Sequence, residues 1–134
     1  MKKIIAISIG LFLLSSCHKK KEAPDFDSLI IRKWSCDSYK EDNTDTIVNN
    51  KPYSLSSSYE YGWEFFVNKQ IRFKNGIGWQ DKPEPNSSYV LSDNKILTLT
   101  LNATIYEFDI LELSTNKLTV HSNLWKKTYY LLTE

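Results

Sequence analysis

Two histidines and two cysteines leave this chain little scope for metal or nucleophilic chemistry. A structural zinc site needs four close nitrogen or sulfur ligands. His18 and His121 with Cys17 and Cys36 offer no spacing that supplies them. Cys36 is the only cysteine outside the N-terminal stretch, so no internal disulfide is available to the body of the chain. It shares strand parity with Trp34, which reads it as a core residue. There is no Gly-x-Ser-x-Gly elbow, no base partner for Cys36 and no glycine loop to cradle a phosphate. The carboxylate pairs are Glu60 with Glu64 and Glu107 with Asp109. The second pair lies on one strand face opposite Tyr106, Phe108 and Ile110, the pattern of a solvated exterior rather than of two acids facing across a cleft. No enzymatic activity, metal or cofactor is expected. Four glycines and four prolines are few for a disordered chain, and aromatics at 13% point to a packed core. A formal charge of +1 sets up no strong field to draw in nucleic acid. No uncharged apolar run reaches the roughly 20 residues that a helix needs to cross a bilayer.

The short apolar run that is present has a different meaning. Met1-Lys2-Lys3 precedes Ile4 to Leu14, and Leu14-Ser15-Ser16-Cys17 closes the stretch. A basic start, a short apolar segment and small residues before a cut site form an export signal. With cysteine directly after Ser16, the stretch resembles a bacterial lipoprotein signal. That resemblance implies removal of residues 1–16 and acylation of Cys17 with chains such as palmitate. Each buried methylene contributes about 0.8 kcal/mol, and several chains hold a protein durably where one does not. The expected location is the bacterial cell envelope, lipid-anchored, with the outer membrane favoured over the inner. Loss of Lys2 and Lys3 takes the formal charge from +1 to −1. Residues 17–28, with His18-Lys19-Lys20-Lys21 and Pro24, read as a solvated, flexible tether.

From Leu29 to Glu134 the chain is long enough for one small domain and shows no solenoid repeat. Its pattern is that of short strands separated by turn residues. Leu97, Leu99 and Leu101 alternate with Ile96, Thr98 and Thr100, after the turn Ser92-Asp93-Asn94. Tyr106, Phe108 and Ile110 alternate with acids, then Leu118 and Val120 with Thr119 and His121. Thr128 to Leu132 makes a last strand, and Trp34 to Tyr39 a first. Asn75-Gly76 is the strongest two-residue hairpin signal, joining Gln70–Lys74 to Ile77–Gln80, with Ile71, Phe73, Ile77 and Trp79 turned to the core. Residues 41–62 are rich in Asn, Ser, Asp and Tyr and leave open a strand pair, a long loop or a short helix. Trp63 to Val67 reads as strand or helix. Eight or nine consecutive strands joined by short turns make an antiparallel meander. Such a sheet buries its open edges by closing. The fold class is therefore all-β, an up-and-down barrel of about eight strands.

Several stretches carry a further likeness. They are Leu29-Ile30-Ile31-Arg32-Lys33-Trp34, Ile71-Arg72-Phe73-Lys74-Asn75-Gly76, Tyr89 to Leu99, Tyr106 to Leu113 and Asn116 to Val120. Over these the chain resembles lipocalin-like bacterial lipoprotein domains, roughly from Leu29 to Leu132. The resemblance implies a calycin-type barrel spanning residues 29–134, with room for a small apolar or amphipathic ligand. Arg32 stands where the lipocalin Gly-x-Trp motif has its glycine. The resemblance also implies an arginine packed on Trp34 from the last strand. None is present there, and only Lys126 or Lys127 is placed to substitute. Trp34, Phe73, Trp79, Tyr106 and Phe108 are the candidate ligand-lining residues. The expected function is non-covalent binding of such a molecule by a membrane-anchored barrel. The alternative is an envelope interaction or structural subunit with a filled barrel and no ligand. The expected partners are the membrane through Cys17 and a small apolar ligand, with no nucleic acid.

Overall fold

The computed structural model describes residues 25–49, 61–76, 78–93 and 95–134. The signal segment 1–16, the acylation candidate Cys17 and the tether up to residue 24 lie outside the described residues. So do 50–60 of the ambiguous stretch and Ile77 of the expected hairpin.

Among the described residues, a one-turn helix, α1 (Phe26–Ile30), leads into nine strands. These are β1 (Lys33–Glu41), β2 (Ile47–Asn49), β3 (Gly62–Phe65), β4 (Ile71–Lys74), β5 (Ser87–Leu91), β6 (Ile96–Leu101), β7 (Thr104–Leu113), β8 (Lys117–Ser122) and β9 (Lys127–Thr133). Every pairing is antiparallel, in the order β4-β3-β1-β9-β8-β7-β6-β5, and β2 pairs with β1 beside this path. The molecule is all-β, a nearly closed eight-stranded barrel, as the meander pattern requires. Trp63 falls in a strand, and β2 supplies a short strand within the stretch left open.

Alternation decides which side chains enter the barrel. On β6, Leu97, Leu99 and Leu101 are buried while Ile96, Thr98 and Thr100 are partly exposed. Ile71 and Phe73 point in on β4, and Arg72 and Lys74 point out. Two bulges interrupt this period of two, one between Cys36 and Ser38 on β1 and one between Ile110 and Glu112 on β7. A bulge adds an unpaired residue and re-aims its neighbours. Leu111 is thereby left exposed on the outer surface.

The seam between β4 and β5 has no full ladder. It is bridged by the Ser87 hydroxyl, which accepts from the Ile71 amide at 3.2 Å and donates to the Ile71 carbonyl at 3.3 Å. The Tyr89 amide donates to the Lys69 carbonyl at 3.0 Å, and the Glu84 amide to that of Ile71 at 2.8 Å. The edges that a flat meander would expose are satisfied in this way.

Each mouth has a plug. At one, α1 buries Leu29 and Ile30, and the Trp34 indole N–H donates to the Ile30 carbonyl at 2.9 Å. Five residues are too few for a helix to hold itself, so tertiary burial holds this one. At the other mouth the β8–β9 turn lays Trp125 against Tyr106, Phe108 and Tyr129, with centroids 5.5, 5.5 and 6.2 Å away.

Two expectations need correction. The turn after β4 closes between Asn75 and Gly78, which exchange backbone hydrogen bonds at 2.8 and 3.2 Å. An Asn75-Gly76 turn would instead have closed between Lys74 and Ile77. The returning arm pairs with β4 only through an isolated bridge from Trp79 to Lys74. Trp79 consequently lies on the outer face rather than in the core.

Candidate functional site

The five residues expected to line a ligand cavity do not form one set. Trp34, Phe73 and Phe108 are fully buried in a single apolar cluster. Tyr106 packs against that cluster from the rim beside Trp125, and Trp79 stands outside the barrel. Cys36 is buried in the same cluster, as its parity with Trp34 indicates.

The interior is crossed by rings. Trp63 on β3 and Phe108 on β7 lie four places apart in the eight-strand order, on opposite walls. Their ring centroids are only 5.0 Å apart. That is contact distance for an aromatic pair. Phe65 meets Tyr89 edge-on at 4.9 Å, and Trp63 reaches Tyr129 at 6.2 Å. Rings from facing walls occupy the space where a barrel ligand would sit.

Trp34 is packed by a cation, but not from the last strand. The Arg32 guanidinium lies 5.6 Å from the Trp34 centroid and donates to the Thr115 carbonyl. Lys127 instead sits 4.8 Å from the Tyr39 ring. Arg32, two residues before Trp34 on the approach to β1, supplies the charge over the tryptophan. A guanidinium is flat and weakly hydrated, and stacks better than an ammonium.

Polar organisation lies outside the barrel. The Trp79 indole N–H donates to Glu134 at 2.7 Å, and the ring rests near Gly62, where a Cβ would come within 3.3 Å of it. Lys33, Arg72 and Lys74 approach the same ring at 5.5 to 5.9 Å. Burial would raise the Glu134 carboxyl pKa. Hydrogen bonds from Lys74, Ser35 and Trp79, with the Lys74 charge, outweigh it and hold the group at about 2. Beside this cluster Arg72 Nε donates to Glu64 at 2.6 Å. At the α1 mouth, burial first and the Asp27 charge second push the Tyr89 phenol above its ordinary value. Its hydroxyl donates to the Phe66 carbonyl at 3.0 Å.

His121 sits on the outer face with its Nε2 3.0 Å from Asp42, and its Nδ1 is 3.9 Å from Asp109. Among the described residues no group of three or more His, Cys, Asp or Glu side chains is placed to hold a metal ion. No helix among them is long and apolar enough to cross a membrane.

Among the described residues, clefts open on the outer surface, three of which bear on the candidate residues. One lies between α1 and the β5–β6 turn, about 280 Å3, and includes Phe26 and Leu91. One, about 290 Å3, lies against Ile105 and Leu124. The third, about 330 Å3, runs beside Thr119 and Tyr130 on the β8–β9 face. The buried rings Trp34, Phe73 and Phe108 line none of them. Alternation alone could have flagged Thr119 and Tyr130 as outward residues, but not that a bulge would bring Leu111 beside them. No family model, curated protein or solved structure matches the chain.

Proposed function

We propose that this chain is a lipid-anchored protein of the bacterial envelope, whose filled barrel is a rigid scaffold and whose outer surface does the work. Anchoring rests on the signal-like segment ending in Cys17, and the outer membrane is the favoured site. The observation that carries the filled-barrel reading is the Trp63–Phe108 contact across the interior. A small-molecule cavity typically needs about 300–1,000 Å3. Opening that much space here would require separating rings already in contact and moving the Trp125 plug. Large apolar cores of this kind favour rigidity, because each ring lost would leave a cavity costing several kcal/mol. The likeness to lipocalin-like domains is then one of architecture, with the ligand space given over to side chains.

Native mass spectrometry of protein purified from its own host tests the reading. The expected spectrum shows the acylated chain with no small apolar molecule retained. A stoichiometric apolar adduct that leaves on mild activation would overturn it in favour of an interior binder.

A further inference from the structure

We propose that the α1 mouth of the barrel rests on a phospholipid bilayer through a corner of exposed apolar side chains, Phe26, Val67 and Val90, an inference that rests on acylation of Cys17. Three segments meet at that corner. Lys69 of the β3–β4 turn pairs with Asp27 of α1 at 3.2 Å, and its carbonyl accepts from the Tyr89 amide of β5 at 3.0 Å. Each segment carries an apolar side chain beside its contact. Val67 lies in the turn that the Lys69 amide closes on the Phe66 carbonyl at 2.9 Å. It is 77% exposed, the most of any large apolar side chain among the described residues. Val90, next to Tyr89, turns outward and is 60% exposed, and Phe26, next to Asp27, is 40% exposed. An apolar patch set among polar groups marks a surface that meets a partner or a membrane.

Chain length selects the membrane. Asp25 follows Cys17 by eight residues, so the chain between them spans at most about 29 Å. The acylated end is therefore always close to this mouth. Ile105 and Leu124 are similarly exposed, but they share a cleft at the opposite mouth, beside the Trp125 plug. Between the two mouths β7 runs for ten residues, which is about 30 Å of strand and about 20–25 Å of barrel height at the usual tilt. Bringing the far mouth to the bilayer would use nearly the whole leash. The α1 corner reaches it with chain to spare.

Charge sets the depth. Lys69 meets the interface already paired with Asp27, and its stem can lie along apolar surface with the ammonium among headgroups. Asp25, Asp93 and Lys95 line the neighbouring cleft. The two carboxylates keep the contact shallow, because a charged carboxylate does not follow valine into hydrocarbon. Lys19, Lys20 and Lys21 precede the corner and suit the same headgroup layer. Three apolar tips do not hold a protein on a membrane by themselves. The acyl chains hold it, and the corner fixes which way it stands. The Ile105–Leu124 cleft and the β8–β9 wall, opposite the β4–β5 seam in the strand order, then face away from the lipid.

The test is NMR of the isotope-labelled, acylated chain in phosphatidylcholine nanodiscs that carry a gadolinium-headgroup lipid, whose paramagnetism speeds relaxation of nearby nuclei. The methyl groups of Val67 and Val90 are expected to relax several-fold faster than those of Ile105 and Leu124, at low and at high salt alike. Val67→Asp combined with Val90→Asp should erase that difference while the chain stays in the disc and its melting midpoint holds, since both residues are exposed. Leu124→Asp should leave the difference intact. Equal relaxation at the two mouths, or faster relaxation at Ile105 and Leu124, overturns the proposal. A difference that vanishes in high salt assigns the contact to the lysines and overturns the apolar corner. A chain that carries no acyl group by mass and does not enter the disc overturns the anchoring reading beneath it, a result distinct from the others.

Discussion

The Trp34 indole is fully buried, donates its N–H to Ile30 and lies under the Arg32 guanidinium. One side chain therefore joins the first strand, the helical plug and the cation that faces the β7–β8 turn. Trp34→Ala is expected to lower stability by about 3–5 kcal/mol. Denaturant unfolding would measure it, and an unchanged midpoint would place the ring on the surface. Glu134 makes a different kind of contribution. Its folded-state pKa of about 2 lies below the ordinary 4.5, so the fold favours the carboxylate. The stability it adds is complete above pH 4.5 and is lost as pH falls through about 2. Glu134→Gln should therefore be less stable than the parent at neutral pH. The gap should close across that acid window, as thermal melts at a series of pH values would show. The group is partly exposed, so solvent keeps the effect modest. Burial of Trp34 was legible in the sequence from parity. The role of Glu134 was not, because its partners Ser35, Lys74 and Trp79 are distant in the chain and meet only on the closed surface.

Scarcity of glycine has its consequence at the level of turns. The β6–β7 hairpin is a two-residue turn with both central residues, Asn102 and Ala103, at positive φ of 48° and 67°. Such a turn matches the twist of its strands but strains any residue with a Cβ, asparagine least. Ala103→Gly is expected to raise stability by about 0.5–1 kcal/mol through relief of that strain, set against the added freedom of the unfolded chain. A fall in the melting midpoint would show that the alanine methyl has a compensating contact. The tight turn that does carry a glycine, after β4, closes one residue later than Asn75-Gly76 suggests. Dipeptide preference recognises residues that tolerate a turn. Register is then chosen by what the flanking strands bury. Ile71 and Phe73 had to face inward, and with β4 ending at Lys74 the returning arm carried Trp79 over the outer surface.

At the level of the whole molecule, closure of the sheet and the proposed attachment to a membrane are separable. Cys17→Ala is expected to abolish acyl labelling and to release the protein from membrane fractions, with the thermal melt of the barrel unchanged. Continued labelling with a lipid precursor would remove the anchoring part of the proposal. Loss of the melt would mean that the barrel leans on its anchor. Closure itself depends on the single order in which β9 returns to β1, with three residue pairs on one side of a bulge and four on the other. The Ser87 hydroxyl and loop amides then cover the remaining seam, so the barrel presents few open edges to other chains.

Alternating side chains and regularly spaced turns were enough, by themselves, to determine an all-β meander, the inward faces of β4, β6 and β7, and the burial of Trp34 and Cys36. These are properties of neighbouring residues, and a period of two records them directly. Only the tertiary structure decided whether the interior is hollow. That depends on whether rings from walls four strands apart meet, and Trp63 and Phe108 are 45 residues apart in the chain. The outer groove was likewise invisible in the sequence. It exists because Leu111 on the bulge, Thr119 and Tyr130 come from three strands whose register is set only once the sheet has closed.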